Sequence, residues 1–121
     1  MSTNPTRPIL EVEQVGPVVV ARMPRGDLLD ETAIQAVGTQ LMALVDVLGC
    51  QRVLLDFRNV RRVASSLLGK VIALHNRLKA AGGKLAVCGT DPIVGGVFQI
   101  MALDRLFGIY PEEQEALQSL Q

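Results

Sequence analysis

The order of apolar and polar residues near the start of the chain is typical of a β-hairpin. Residues 9–15 alternate between apolar and polar side chains, Gly16 and Pro17 interrupt the pattern, and a β-rich run follows over 18–23. Two extended runs on either side of a tight Gly-Pro turn favour antiparallel pairing of adjacent strands. We therefore predict that the domain opens with a hairpin, followed by a loop over residues 24–30.

The rest of the chain alternates between amphipathic segments and short apolar runs. The amphipathic segments carry apolar residues at helical spacing, and the short runs have the length and composition of buried strands. Predicted helices cover 31–48, 67–81, 92–103 and 112–120, and predicted strands cover 53–57, 84–88 and 106–110. Residues 58–64 are predicted to form a basic, irregular loop.

This order, β-β-α-β-α-β-α-β-α, defines a fold class. Strands that alternate with helices favour a parallel sheet with right-handed crossovers. The 121 residues, 49% of them apolar, suffice for one core. We predict a single α/β domain over 9–121 with a four- or five-stranded mixed sheet, preceded by a disordered tail over 1–8.

Charge and hydropathy narrow the range of partners. Lys and Arg number 12, Asp and Glu also number 12, and the aromatic residues are four in all. Proteins that bind nucleic acid or anionic membrane generally carry a basic excess, and single-strand binders also stack bases on aromatic rings. We therefore expect neither nucleic acid nor direct membrane insertion, and a cytoplasmic location, since no apolar run approaches the length of a membrane span.

The residues that could carry catalysis do not form a constellation. Cys50 and Cys88 sit among apolar neighbours and are expected to be free thiols, and with His75 they are too few for a zinc site. Ser66 and His75 are nine residues apart on one predicted helix, about 13 Å, which excludes a hydrogen-bonded pair. We predict no catalytic residue, no metal and no cofactor, and hence no enzyme.

One segment has a more specific pattern. Asp56 ends a predicted strand, a basic loop follows, and Ser65 and Ser66 precede the next helix. This resembles the signature of the STAS domain family of bacterial anti-sigma factor antagonists, in which Asp-Ser-Ser-Gly-Leu-Gly opens a helix. The segments 78–85 and 103–107 and the element order over 9–120 are also similar to that family.

The resemblance implies a protein-binding regulator of transcription. In such antagonists the second serine is phosphorylated by a partner that is both a serine kinase and an anti-sigma factor, and phosphorylation ends the complex. Ser66 is then the candidate phosphorylation site, with Ser65, Asp56 and Ala64 around it. The loop–helix corner at 63–70 is the candidate docking surface. Candidate partner-binding residues are Arg58, Arg61, Arg62, Val63, Leu67, Leu68 and Lys70.

Two departures from the signature keep alternatives open. Ala64 stands where the family has an acid, and Leu67 stands where it has a glycine. The two serines could instead serve only to cap the helix, and the arginines could simply be solvated. The chain would then be a static STAS module that docks into a transporter or signalling assembly. A small-ligand binder or minor enzyme is a third alternative.

Overall fold

A computed structural model describes residues 10–121, and the tail predicted over 1–8 lies outside this range. The strands are β1 (Glu11–Val15), β2 (Val18–Arg22), β3 (Gly26–Leu28), β4 (Arg52–Asp56), β5 (Val60–Val63), β6 (Lys84–Cys88) and β7 (Gly108–Tyr110). The helices are α1 (Glu31–Asp46), α2 (Ser65–Ala80), α3 (Pro92–Ile100) and α4 (Glu113–Ser119).

Five strands form one mixed sheet in the order β1-β2-β4-β6-β7. β1 pairs antiparallel with β2 as the predicted hairpin, and every later pairing in this sheet is parallel. β2, β4 and β6 are almost completely buried, since helices cover both faces of the sheet. The predicted α/β fold class is confirmed, and the mixed sheet has five strands, the larger of the two predicted numbers.

The two faces of the sheet bury cores of unequal size. On one face, α1, α2 and α3 pack against the strands and bury the larger core, which includes Phe57 and Phe98 with their rings edge to face at 5.4 Å. On the other face, α4 is the one helix within residues 10–121 that covers the central strands. The residues of this smaller core are Val18, Val20, Leu54, Ala86, Cys88, Ala116, Leu117 and Leu120.

Two short strands lie in segments that the sequence assigns to loops. β3 and β5 pair in parallel as a separate two-stranded sheet, with a register shift between Gly26 and Asp27. The prediction of an irregular loop over 58–64 is therefore wrong for β5. Each strand is only three or four residues long and carries charged residues, so neither has the apolar alternation by which strands are recognised.

The predicted third helix also differs at its end. α3 stops at Ile100, and Ala102 takes a left-handed conformation with φ of 57° before a 3₁₀ turn over Leu103–Arg105. The last strand consequently begins at Gly108, two residues later than the apolar run that starts at Leu106.

Candidate functional site

The two serines occupy the first two helical positions of α2. Ala64 is the N-cap residue, with extended backbone angles and no side chain that could accept a hydrogen bond from the helix. Its backbone N–H donates to the carbonyl oxygen of Leu28 at 3.0 Å, which joins the corner to the end of β3. Neither serine is an N-cap, so the capping interpretation of the pair is wrong.

Ser66 presents its hydroxyl at the boundary between two helices. Its Oγ donates a hydrogen bond to Oε2 of Glu31 at 2.9 Å, in an exposed position. Glu31 is the first residue of α1, directly after the N-cap Asp30, whose carboxylate accepts from the N–H of Ala33. The N-terminal turns of α1 and α2 therefore meet at Ser66, beside the carboxylates of Asp30 and Glu31.

Lys70 lies one turn beyond Ser66 along the same boundary. Its Nζ donates to Oε1 of Gln35 at 3.1 Å, and its aliphatic stem passes over Gly38 of α1. A Cβ at Gly38 would come within 2.8 Å of that stem, so the glycine makes room for the lysine. Lys70 is thus held between the helices while its ammonium group stays near the surface.

Leu67 and Leu68 do not belong to the surface. Both side chains are fully buried in the larger core, together with Val71 and Leu74 of the same helix. The expectation that they form an apolar docking patch is therefore wrong, because the first turn of α2 already directs its leucines towards the sheet. Val63, which is half-buried, is the apolar residue of the expected patch that retains exposure.

Asp56 is a buried carboxylate that binds arginine. It is 3% exposed, and its Oδ2 accepts a hydrogen bond from Arg22 at 2.8 Å. Its Oδ1 accepts from the backbone N–H of Arg58 at 2.9 Å. Gly89, with φ of +75°, packs so closely that a Cβ would lie 3.0 Å from this Oδ1. These bonds tie β2, β4 and the following turn together and do not involve the serines.

Glu113 at the start of α4 completes this charge network. It accepts hydrogen bonds from Arg22 at 2.9 Å and from Arg58 at 3.1 Å, and Glu13 of β1 accepts a third bond from Arg22 at 2.6 Å. The Arg22 hydrogen bond lowers the pKa of Glu113 below its ordinary value. In turn, hydrogen bonds to Glu113 and Glu13 raise the pKa of Arg22, so the guanidinium stays charged.

The three arginines of the basic segment differ in their partners. Arg58 contacts Asp56 and Glu113, and Arg62 donates to Oδ2 of Asp27 at 2.7 Å. Arg61 is exposed and forms no ion pair within residues 10–121. Sequence reasoning missed Arg22 as the partner of Asp56, Glu31 as the partner of Ser66 and Glu113 as the partner of Arg58. These pairs are separated by 34, 35 and 55 residues along the chain.

The remaining titratable groups of interest lie against apolar surroundings. Cys50 and Cys88 are free thiols, as predicted. Burial raises the pKa of Cys88 to about 12, which keeps the thiol protonated at neutral pH. Burial and the charge of Lys79 lower the pKa of His75, whose ring packs 5.5 Å from that of Phe107.

Within residues 10–121, no helix is both long and apolar enough to cross a bilayer.

Comparison with known proteins identifies the family. The profile of the STAS domain family matches residues 10–116, so the chain belongs to that family, as the serine segment and element order predicted. The chain is 27% identical over 112 residues to the anti-sigma F factor antagonist of Paenibacillus polymyxa. That alignment covers 93% of this chain and 94% of the relative.

Solved structures show the same fold. An anti-sigma-factor antagonist (STAS) domain protein from Planctomyces limnophilus superposes with a TM-score of 0.81 at 25% identity, covering 93% of this chain and 97% of that one. An anti-sigma factor antagonist from Mycobacterium paratuberculosis superposes with a TM-score of 0.83 at 22% identity, covering 98% of each chain. The chain is therefore a STAS domain that is similar to anti-sigma factor antagonists.

Proposed function

We propose that this protein is a cytoplasmic bacterial regulator that binds an anti-sigma factor with serine-kinase activity, and so controls transcription without catalysing a reaction itself. The partner docks at the corner around the first turn of α2, and phosphorylation of Ser66 ends the complex. The observation that carries the proposal is the position of the half-buried Ser66, whose hydroxyl makes a surface hydrogen bond to Glu31 where the N-terminal turns of α1 and α2 meet.

The family supports the class of partner. The curated relative is named as an anti-sigma F factor antagonist, and its alignment spans nearly the whole of both chains. The docking surface differs from the one expected from sequence, because Leu67 and Leu68 are in the core. The groups at the corner that retain exposure are Val63, Ser65, the half-buried Ser66, Gly69, the ammonium of Lys70 and the arginines of β5.

The surroundings of Ser66 would make phosphorylation a strong local change. A phosphoryl group adds about −1.5 to −2 charges at neutral pH. It would replace the hydroxyl proton that Ser66 now donates to Glu31, and would place two anions side by side. Lys70, one helical turn away, offers a cation at the i, i+4 spacing that favours side-chain pairing. Burying that dianion under a partner would require costly desolvation, so the complex would dissociate.

The first test uses the two adjacent serines as a matched pair. The purified chain is incubated with ATP and a serine-kinase anti-sigma factor encoded in the same genome, and phosphate is located by mass spectrometry. We expect wild type and Ser65→Ala to gain one phosphate and Ser66→Ala to gain none. Phosphorylated wild type is expected to bind the kinase at least about a hundredfold more weakly, since a desolvated charge costs several kcal/mol.

A second candidate is the static module, which docks without being modified. It is favoured by Ala64, which replaces the family's acid, and by Glu31, whose carboxylate would oppose a phosphate on Ser66. A kinase that binds the chain but leaves Ser66 unmodified would support this candidate. Phosphate on Ser65 in place of Ser66 would equally contradict the proposed switch.

A further inference from the structure

A groove lined by arginines lies beside the serine corner. It is open to solvent, has a volume of about 690 Å³ and lies between the β2–β3 connection, the β4–β5 turn and the N-cap of α3. Its lining residues are Arg25, Gly26, Arg58, Asn59, Val60, Arg61 and Asp91. Such a volume accommodates several residues of an extended peptide.

The positive charge of this groove is only partly neutralised. Arg58 contacts Asp56 and Glu113, whereas Arg25 and Arg61 form no ion pair within residues 10–121. Asp91 is the acid in the lining, and its carboxylate already accepts the N–H of Val94 at 2.8 Å as the cap of α3. The chain as a whole has zero net charge, so the three arginines concentrate positive charge locally.

The shape of the arginine side chain indicates the ligand. A guanidinium binds carboxylates and phosphates through two parallel hydrogen bonds, which a lysine cannot do. None of the described residues that line the groove is aromatic, so none offers a ring on which a base could stack. The chain also lacks the basic excess of nucleic-acid-binding proteins. An acidic stretch of polypeptide therefore fits these side chains better than a nucleotide does.

The groove lies within reach of a partner at the serine corner. β5 runs from Arg61 directly into Ala64 and the first turn of α2. At about 3.3 Å per residue, Arg61 and Ser65 are separated by roughly 13 Å along the chain. One partner surface of ordinary size, about 800 Å² per side, covers both features.

We propose that the Arg25–Arg58–Arg61 groove binds an acidic, glutamate- or aspartate-rich segment of the partner that docks at Ser66. The inference rests on the proposed function for the identity of the partner, and it adds the chemistry that the partner must present. Arg25 and Arg61 supply the free guanidinium groups. Arg58 adds positive charge while it remains bonded to Asp56 and Glu113.

The test measures binding to the purified chain by fluorescence anisotropy, with fluorescein-labelled hexaglutamate as the probe and hexaglutamine as the neutral control. We expect saturable binding of hexaglutamate that weakens as salt rises, and no binding of hexaglutamine. Arg25→Gln and Arg61→Gln are each expected to weaken binding about tenfold, as the loss of one charge-assisted contact does. Arg52→Gln, which removes an exposed arginine at the opposite end of β4, is the matched control and should change affinity less than about twofold.

Several results would overturn the inference. Equal binding of the two peptides would show that charge is not recognised, and equal weakening by Arg52→Gln and Arg61→Gln would show that the groove is not the site. Tighter binding of ATP or oligothymidylate than of hexaglutamate would assign the groove to a nucleotide or nucleic acid. No kinase is present in this assay, so its failure is distinguishable from a failure of phosphorylation at Ser66.

Discussion

Asp56 and Asp46 show that the burial of a charged residue determines how much its ion pair contributes to the stability of the fold. Both accept a hydrogen bond from an arginine, Asp56 from Arg22 at 2.8 Å and Asp46 from Arg77 at 2.6 Å. The side chain of Asp56 is 2% exposed, whereas that of Asp46 is 45% exposed. Solvent screens the second pair more strongly than the first, so similar distances carry different free energies.

We predict that Asp56→Asn lowers the free energy of unfolding by about 2 kcal/mol, since a charge-assisted bond in the interior is lost. Asp46→Asn should cost less than about 1 kcal/mol, as is usual for exposed ion pairs. Urea denaturation of both variants measures the difference. Equal losses in the two variants would contradict a special role for Asp56.

Single residues at the serine corner were only partly predictable. The sequence places Ser65 and Ser66 correctly at the beginning of a helix, because a polar pair precedes a run of helical periodicity. The sequence also indicates that Leu67 and Leu68 are buried, because they lie on the same apolar face of the helix as Val71. The contact of Ser66 with Glu31 joins positions 35 residues apart and has no local signal.

At the scale of elements, α2 is a helix that begins without a side-chain cap. Ala64 has the extended backbone of an N-cap, but its methyl group cannot accept a hydrogen bond. By contrast, α1 and α3 begin at Asp30 and Asp91, whose carboxylates accept backbone N–H groups of the first turn. α2, the helix that carries Ser66, lacks such a bond, as does α4.

We predict that Ala64→Asp raises the free energy of unfolding by about 1 kcal/mol, through a cap bond and a favourable charge at the helix N-terminus. Ser65→Asp is the control, since it adds the same charge one position later without occupying the cap, and should stabilise by only a few tenths of a kcal/mol. Thermal and urea unfolding of the two variants measure these changes in the free energy of unfolding. Equal stabilisation by the two variants would mean that charge alone is responsible.

Short elements were the part of the fold that periodicity could not predict. β3 and β5 stabilise each other through parallel pairing across more than thirty residues of sequence, and through the ion pair of Asp27 with Arg62. Such pairing depends on where the rest of the fold brings the segments. The long helices and the central strands of the main sheet were predictable because burial imposes a regular pattern on each of them.

At the scale of the whole molecule, the network around Arg22 links distant parts of the chain. Glu13, Asp56 and Glu113 belong to β1, β4 and α4, and all three contact Arg22. The fold class could be derived from the order of elements, but this network could not, since its members converge only after the sheet and α4 have assembled. The ion pairs of this network therefore form only in the fully folded domain.

The pH dependence of stability should reflect this network. The folded-state pKa of Glu113 lies below its ordinary value of 4.5, so its contribution is fully present above that pH. It is lost as the pH falls from about 4.5 through the lower, folded-state pKa. We predict that Glu113→Gln costs about 1 kcal/mol at neutral pH and that its difference from wild type shrinks below pH 4.5.

Urea titrations at a series of pH values check this dependence, with Glu115→Gln as the control. Glu115 lies on the same helix but is exposed and forms no ion pair within residues 10–121. A difference between wild type and Glu113→Gln that stays constant down to the lowest pH studied would contradict the assignment.

The unequal cover of the sheet has a consequence for how long the protein survives in a cell. Among residues 10–121, one face is covered by α4, a helix of seven residues joined to β7 by the exposed residues Pro111 and Glu112. A protease that cuts this link would release α4 and expose to solvent the apolar face formed by Val18, Val20 and Leu54. Exposed strands of that composition aggregate or bind chaperones. A single cleavage would therefore lead to loss of the whole folded protein from the cell.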